Sequence, residues 1–207
     1  LDRSRVTRRF FRDLRIHRAR VAAAWLGVPE GCADDRDQLA LLLLCRLMFL
    51  YFLQRHGHLA GDPAYLPNLL RRRPRGAGEG SFFRAVLVPL FFGALNTRPE
   101  RRTAAARALG SLPYLNGGLF ERHAIERRHP ELDLPDDVVV ALFDELLERY
   151  RFTTVEAAEA AAEQAGEVGI DPEMLGRVFE ELMAADRRGA SGTFFTPAAV
   201  VDRLVCG

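Results

Sequence analysis

The 207 residues contain no lysine; all 29 basic side chains are arginine. Without lysine there can be no phosphate-binding loop ending in Gly-Lys-Ser/Thr, and no Asp…Glu-x-Lys nuclease core. No HExxH pair, GxSxG turn or paired CxxC occurs either, so no familiar zinc-hydrolase or nucleophile-elbow signature is present. The three cysteines, Cys32, Cys45 and Cys206, are odd in number and widely spaced. That argues against a disulfide framework or a zinc site and fits a reducing, cytoplasmic compartment. Long apolar runs are scarce as well. The longest, Leu39 to Leu53, holds Arg46 and falls short of the roughly 20 apolar residues a bilayer span requires, so a buried helix and no membrane partner are expected. No apolar leader precedes a small-residue cleavage site.

What is present is the composition of a folded domain: 48% hydrophobic and 28% charged residues, with a net charge of only +1. The small net charge conceals a division. Leu1 to Arg20 carries eight arginines against Asp2 and Asp13, whereas Glu131 to Asp186 carries sixteen acids against Arg149, Arg151 and Arg177. A basic end and an acidic end follow.

Periodicity predicts a mainly α fold, a bundle of about seven to nine helices. Val6, Phe10, Leu14, Val21 and Trp25 recur along one side of Asp2 to Leu26, with Gly27 and Pro29 ending that helix. Asp34, Asp35 and Asp37 are expected to cap a second helix running to about His56 and closed by Gly57. That helix is apolar almost all round, so it should be central, about 35–56, with a carboxylate or helix-end carbonyls beside Arg46. Asp62-Pro63 begins a short helix to Leu70, and Ser81 caps another whose interior Pro89 should kink it. Arg98 to Ala108 is expected to be short and exposed. Asn116-Gly117-Gly118 predicts a hairpin or turn within 112–120, with backbone that tolerates positive φ. Leu134-Pro135-Asp136 opens a helix to about Tyr150 with Val139, Leu142, Phe143, Leu146 and Leu147 inward. Arg151 to Val155 is strand-like, and Glu156 to Gly169 is an Ala/Glu-rich linker or exposed helix. His56 and His58, two apart, make a poor metal pair.

The last stretch carries the most specific pattern. Asp171-Pro172 starts an amphipathic helix with Met174, Leu175, Val178, Phe179 and Leu182 on one face, followed by Gly189 to Gly192 and then Thr193-Phe194-Phe195-Thr196-Pro197. The string EVGIDPEMLGRVFEELM followed by GTFFTP resembles the junction in type IIG restriction–modification enzymes and related phage-exclusion DNA adenine methyltransferases. RLMFLYFLQRHGHL (46–59), PLFFGALN (89–96), LPYLNGGLFE (112–121) and LFDELLERYRFT (142–153) resemble the helical connector of that family, in the same order.

The resemblance implies a non-catalytic helical connector over 1–186, with a basic N-terminal helix over 1–26, and the start of a methyltransferase domain over 187–207. Thr193, Phe194, Phe195, Thr196 and Pro197 would then line an S-adenosylmethionine site completed only in a longer protein. Phe195 stands where the family more often has tyrosine, so one hydroxyl contact is lost. The family's glycine-rich loop and Asn-Pro-Pro-aromatic tetrapeptide are not among these residues, so the chain alone should have no catalytic residues and bind neither cofactor nor metal. A start at Leu1 and a stop inside an emerging helix fit a piece of a longer enzyme. DNA is the expected partner of that enzyme, with Arg5, Arg8, Arg9, Arg12, Arg71, Arg72 and Arg73 as backbone-contact candidates. The rival reading is an autonomous helical protein–protein interaction domain without a nucleic-acid role.

Overall fold

The protein is described here by a computed structural model covering residues 3–72 and 80–150, together with Phe152, Ile170, Gly176 and Glu180. Within these residues the chain is helical, and β-pairing is limited to two isolated bridges, Leu26 with Asp133 and Phe152 with Ile170. Six α-helices occur: α1 (Arg3–Ala24), α2 (Ala33–Arg55), α3 (Tyr65–Arg72), α4 (Ala104–Ala108), α5 (Ala124–Arg128) and α6 (Asp136–Leu142). Three π-helical segments, Phe83–Leu87, Pro89–Leu95 and Phe143–Leu147, join them. The residues fall into two compact units, one of 1–14 and 150–207, the other of 15–149.

The larger unit is organised by α2. On length and composition this helix could cross a membrane, yet 83% of its most apolar window is buried within the protein. An apolar surface on every side cannot face water, so neighbours must enclose it. It packs against α3, α5 and the 3₁₀ turn Gly118–Phe120. Tyr51 meets Phe143 edge-on at 5.9 Å between centroids, and Phe143 meets Phe82 at 6.1 Å. The expected stops hold: Gly27 and Gly57 adopt φ of +75° and +73°, the left-handed region that spares glycine the Cβ clash.

The expected aspartate caps do not form. Cys32 occupies the N-cap position of α2 without a side-chain bond. Asp37 instead accepts Nε of Arg18 at 2.8 Å, and Asp35 accepts Arg128 and His129 at 2.9 and 2.8 Å. Long-range ion pairs displace the local cap. Ser81 does cap as expected, its hydroxyl accepting from the Arg84 N–H at 3.1 Å. Pro89 lies at the junction of two π-helical segments, with i→i−5 bonds from Val88 N–H to Phe83 O before it and from Asn96 N–H to Phe91 O at 3.1 Å after it, so the donor that proline lacks falls within a helix that is already widened. Arg98 to Ala108 divides into a 3₁₀ turn, Pro99–Arg101, and α4, which Thr103 caps. At 112–120 the turn alternative holds and the hairpin does not. Gly117 is extended at φ −168°, and neither it nor Gly118 uses positive φ.

In the smaller unit Phe10 packs edge-on against Tyr150 at 4.8 Å and Phe152 at 6.4 Å, and the Tyr150 hydroxyl donates to Asp13 at 2.8 Å. Of the strand-like stretch 151–155 only Phe152 is described, in its parallel bridge to Ile170. Gly176 and Glu180 are helical.

Candidate functional site

Arg46 is the one charge in the interior of α2, and its surroundings match the expectation in both respects. Its Nη1 and Nη2 form a two-pronged pair with Glu126 at 2.6 and 3.0 Å, while Nε and Nη2 donate to the carbonyls of Leu119 and Glu121 at 2.6 and 2.8 Å. Both partners are nearly sealed from solvent, at 2% and 4% exposure. Glu126 also accepts the His123 N–H at 2.7 Å and so caps α5. The guanidinium lies 5.2 Å from the ring centre of Phe91 and 5.1 Å from that of Phe92. All three guanidinium nitrogens are bonded within the protein, so Arg46 positions the 118–126 turn.

Two further arginines act likewise. Arg36 donates to the carbonyls of Ala22, Ala23, Trp25 and Val28, closing the C-terminus of α1. Buried Arg102 donates to the carbonyls of Thr97, Leu112 and Pro113 at 3.0, 2.9 and 3.0 Å, tying two loops together.

Beyond that framework a basic surface surrounds the end of the Pro89–Leu95 segment. Arg122 stacks on half-buried Phe92 at 4.3 Å, and Arg98 lies over Tyr114 at 5.8 Å. The Tyr114 hydroxyl reaches the Asn116 side-chain oxygen at 3.3 Å. Arg101 and Arg107 are exposed nearby, α4 resting on Gly93 through Ala106. Arg127 donates to the Arg122 carbonyl. The charges of this group are distributed among short elements and form no run in the sequence. The signal was there: Arg98 to Arg128 holds seven arginines against Glu100, Glu121 and Glu126.

The predicted contact residues are placed as follows. Arg8, Arg9 and Arg12 are exposed on α1 within the smaller unit, and Arg12 pairs with Asp13 at 3.0 Å. Arg71 and Arg72 are exposed at the end of α3 in the larger unit, where Arg71 Nε reaches the Pro67 carbonyl at 3.3 Å. The Arg5 side chain, Arg73 and the whole Thr193–Pro197 motif lie outside the described residues. The His56 ring contacts Phe52 in a tilted arrangement at 4.5 Å between centroids, with His58 at 6.3 Å, and no group of three or more His, Cys, Asp or Glu among the described residues has metal-holding geometry. Burial, then the neighbouring His58, lowers the His56 pKa, and burial does the same to His123. Cys45 is sealed in the core and its thiol is pushed far up by desolvation, which makes it inert. The described residues thus present exposed arginines on a framework tied together by Arg36, Arg46 and Arg102.

No family model matches the chain, and no solved structure matches it. A predicted type II restriction enzyme and methyltransferase of Methanocaldococcus jannaschii is 31% identical over 186 residues. That match takes in 85% of this chain but 15% of the relative, so what the chain resembles is one segment of a much larger restriction–modification protein.

Proposed function

We propose that this chain is the helical connector of a DNA adenine methyltransferase of type IIG restriction–modification or phage-exclusion character. In this reading it holds the methyltransferase core and has no catalysis of its own. The observation that carries the reading is the 31% identity along most of the chain to a small part of a restriction enzyme and methyltransferase. The architecture is consistent with a spacer. Buried Arg46 and Arg102 and half-buried Arg36 are spent on carboxylate and backbone partners that tie turns together. Thr193 to Pro197 would begin a pocket for S-adenosylmethionine that later residues complete, with Thr196 bonding the cofactor carboxylate. Exposed arginines of α1 (Arg8, Arg9) and of the end of α3 (Arg71, Arg72) would touch DNA phosphates without reading sequence. The reading places the protein in the cytoplasm and gives it no membrane partner.

Calorimetric titration with S-adenosylmethionine tests the connector role. The 207-residue chain gives no binding heat, whereas a protein extended through a methyltransferase domain binds and methylates adenine in duplex DNA. Cofactor binding or methyl transfer by the 207 residues alone overturns the assignment.

A further inference from the structure

The arginines of this chain differ in what already satisfies them. Arg12, Arg18, Arg20, Arg84 and Arg128 each have a carboxylate partner. Arg36, Arg46 and Arg102 are consumed by carbonyls or by Glu126. Arg98, Arg101, Arg107 and Arg122 are exposed, and among the described residues none of them forms an ion pair. They share one neighbourhood of the larger unit. Arg102 ties Thr97 to Leu112 and Pro113, Leu115 N–H bonds the Leu95 carbonyl at 2.8 Å, and Thr97 Oγ1 bonds the Phe92 carbonyl at 2.8 Å. The exposed acids in that stretch are Glu100 and Glu121.

Two of the four guanidiniums lie over aromatic rings, Arg122 at 4.3 Å from the centre of Phe92 and Arg98 at 5.8 Å from that of Tyr114, contacts that restrain each fork. A planar fork held before the ligand arrives suits a phosphate, which accepts two parallel N–H bonds. A protein partner would require apolar area at its centre. The exposed large hydrophobic residues described are Ile16 and Leu26, and neither belongs to this face, whose aromatics lie beneath guanidiniums. From this we infer that Arg98, Arg101, Arg107 and Arg122, set on Phe92 and Tyr114, form a docking face for the sugar–phosphate backbone of duplex DNA. The face is separate in sequence from the arginines of α1 and α3. The inference rests on the reading that the parent protein acts on DNA.

Fluorescence anisotropy with a labelled duplex of mixed sequence, titrated across a sodium chloride series, tests it. Each phosphate contact contributes about 0.9 to the slope of log affinity against log salt. The variant R98Q/R101Q/R107Q/R122Q therefore loses roughly 3 to 4 from that slope and binds more than tenfold more weakly at low salt. Because Arg98 and Arg122 also stack on rings, R101Q/R107Q supplies an unstacked counterpart, expected to lose roughly 2 with an unchanged melting temperature. If the wild-type chain binds and both variants bind equally well with the same slope, this face is wrong while DNA contact elsewhere survives. Absence of binding by the wild-type chain at low salt overturns this face and the DNA-contact reading together. Variant-sensitive binding to poly-glutamate, with duplex binding unchanged, makes the face a protein dock and also overturns the inference.

Discussion

Arg46 on α2 and Glu126 on α5, 80 residues apart, form a buried two-pronged ion pair at 2.6 and 3.0 Å. Removing one member strands the other's charge, which costs about 3–5 kcal/mol, whereas replacing both with apolar residues of similar size is often neutral. Chemical denaturation should therefore show E126A or R46A strongly destabilised and R46M/E126L closer to wild type. A double variant as unstable as the singles would mean that the carbonyl bonds to Leu119 and Glu121 dominate.

Two glycines with nearly the same positive φ should respond differently to alanine. A Cβ on Gly27 would lie 2.3 Å from the backbone oxygen of Glu131, beside the Leu26–Asp133 bridge, while one on Gly57 meets nothing within 4 Å. G57A should cost only the left-handed backbone penalty, about 1–2 kcal/mol. G27A carries that penalty plus a displaced backbone and should be clearly worse in the same denaturation experiment.

Acid should weaken the fold before the carboxylates titrate. His56 and His123 both have pKa values lowered in the folded state, chiefly by burial. The unfolded chain then binds more protons, so stability is full above the ordinary histidine pKa of about 6.5 and is lost as pH falls through the folded values. Melting temperature should drop between pH 7.5 and pH 5, and H56Q/H123Q should flatten that drop. Asp62 and Glu145 are depressed by their hydrogen-bond partners Asn68 and Arg20 and lose their contributions only at lower pH.

Lysine should not replace arginine where a fork spans several carbonyls. Arg36 reaches four backbone oxygens and Arg102 three. A point-charge ammonium cannot reach them all, so R36K or R102K should each cost about 2 kcal/mol despite the retained charge. Wild-type urea midpoints in both would refute the geometric role.

The long elements were legible because burial leaves a period: the inward stripe Phe10, Leu14 and Val21 of α1, with Trp25 just after it, and Val139, Leu142, Phe143, Leu146 and Leu147 of the 136–147 segment are all buried. Arg46 was legible too, since a lone charge inside an apolar helix demands a partner. The partner was not. Glu126 sits on a helix of five residues, too short to show a period, and only the fold brings it to α2. The Asp34, Asp35 and Asp37 caps failed for the same reason, since distant Arg18, Arg128 and His129 claim two of those carboxylates. Widening into π-helix has no side-chain signature beyond Pro89. Of the candidate site, the α1 and α3 arginines could be found as runs in the sequence. The Phe92–Tyr114 face leaves only a bias toward arginine, because Arg98 and Arg101 share one 3₁₀ turn, Arg107 lies on the short α4 and Arg122 precedes α5, and the fold assembles them.

The distance along the chain between Arg46 and its carboxylate also matters while the protein is being made. At ribosomal speeds of about 5–20 residues per second, roughly 4 to 16 seconds separate the emergence of α2 from that of Glu126. For that interval the long apolar helix α2 is in the cell with its central guanidinium unanswered and α3, α5 and the Gly118–Phe120 turn that cover it not yet complete. Nascent chains stalled between the two residues should be strong chaperone clients, and release past α5 should end that dependence.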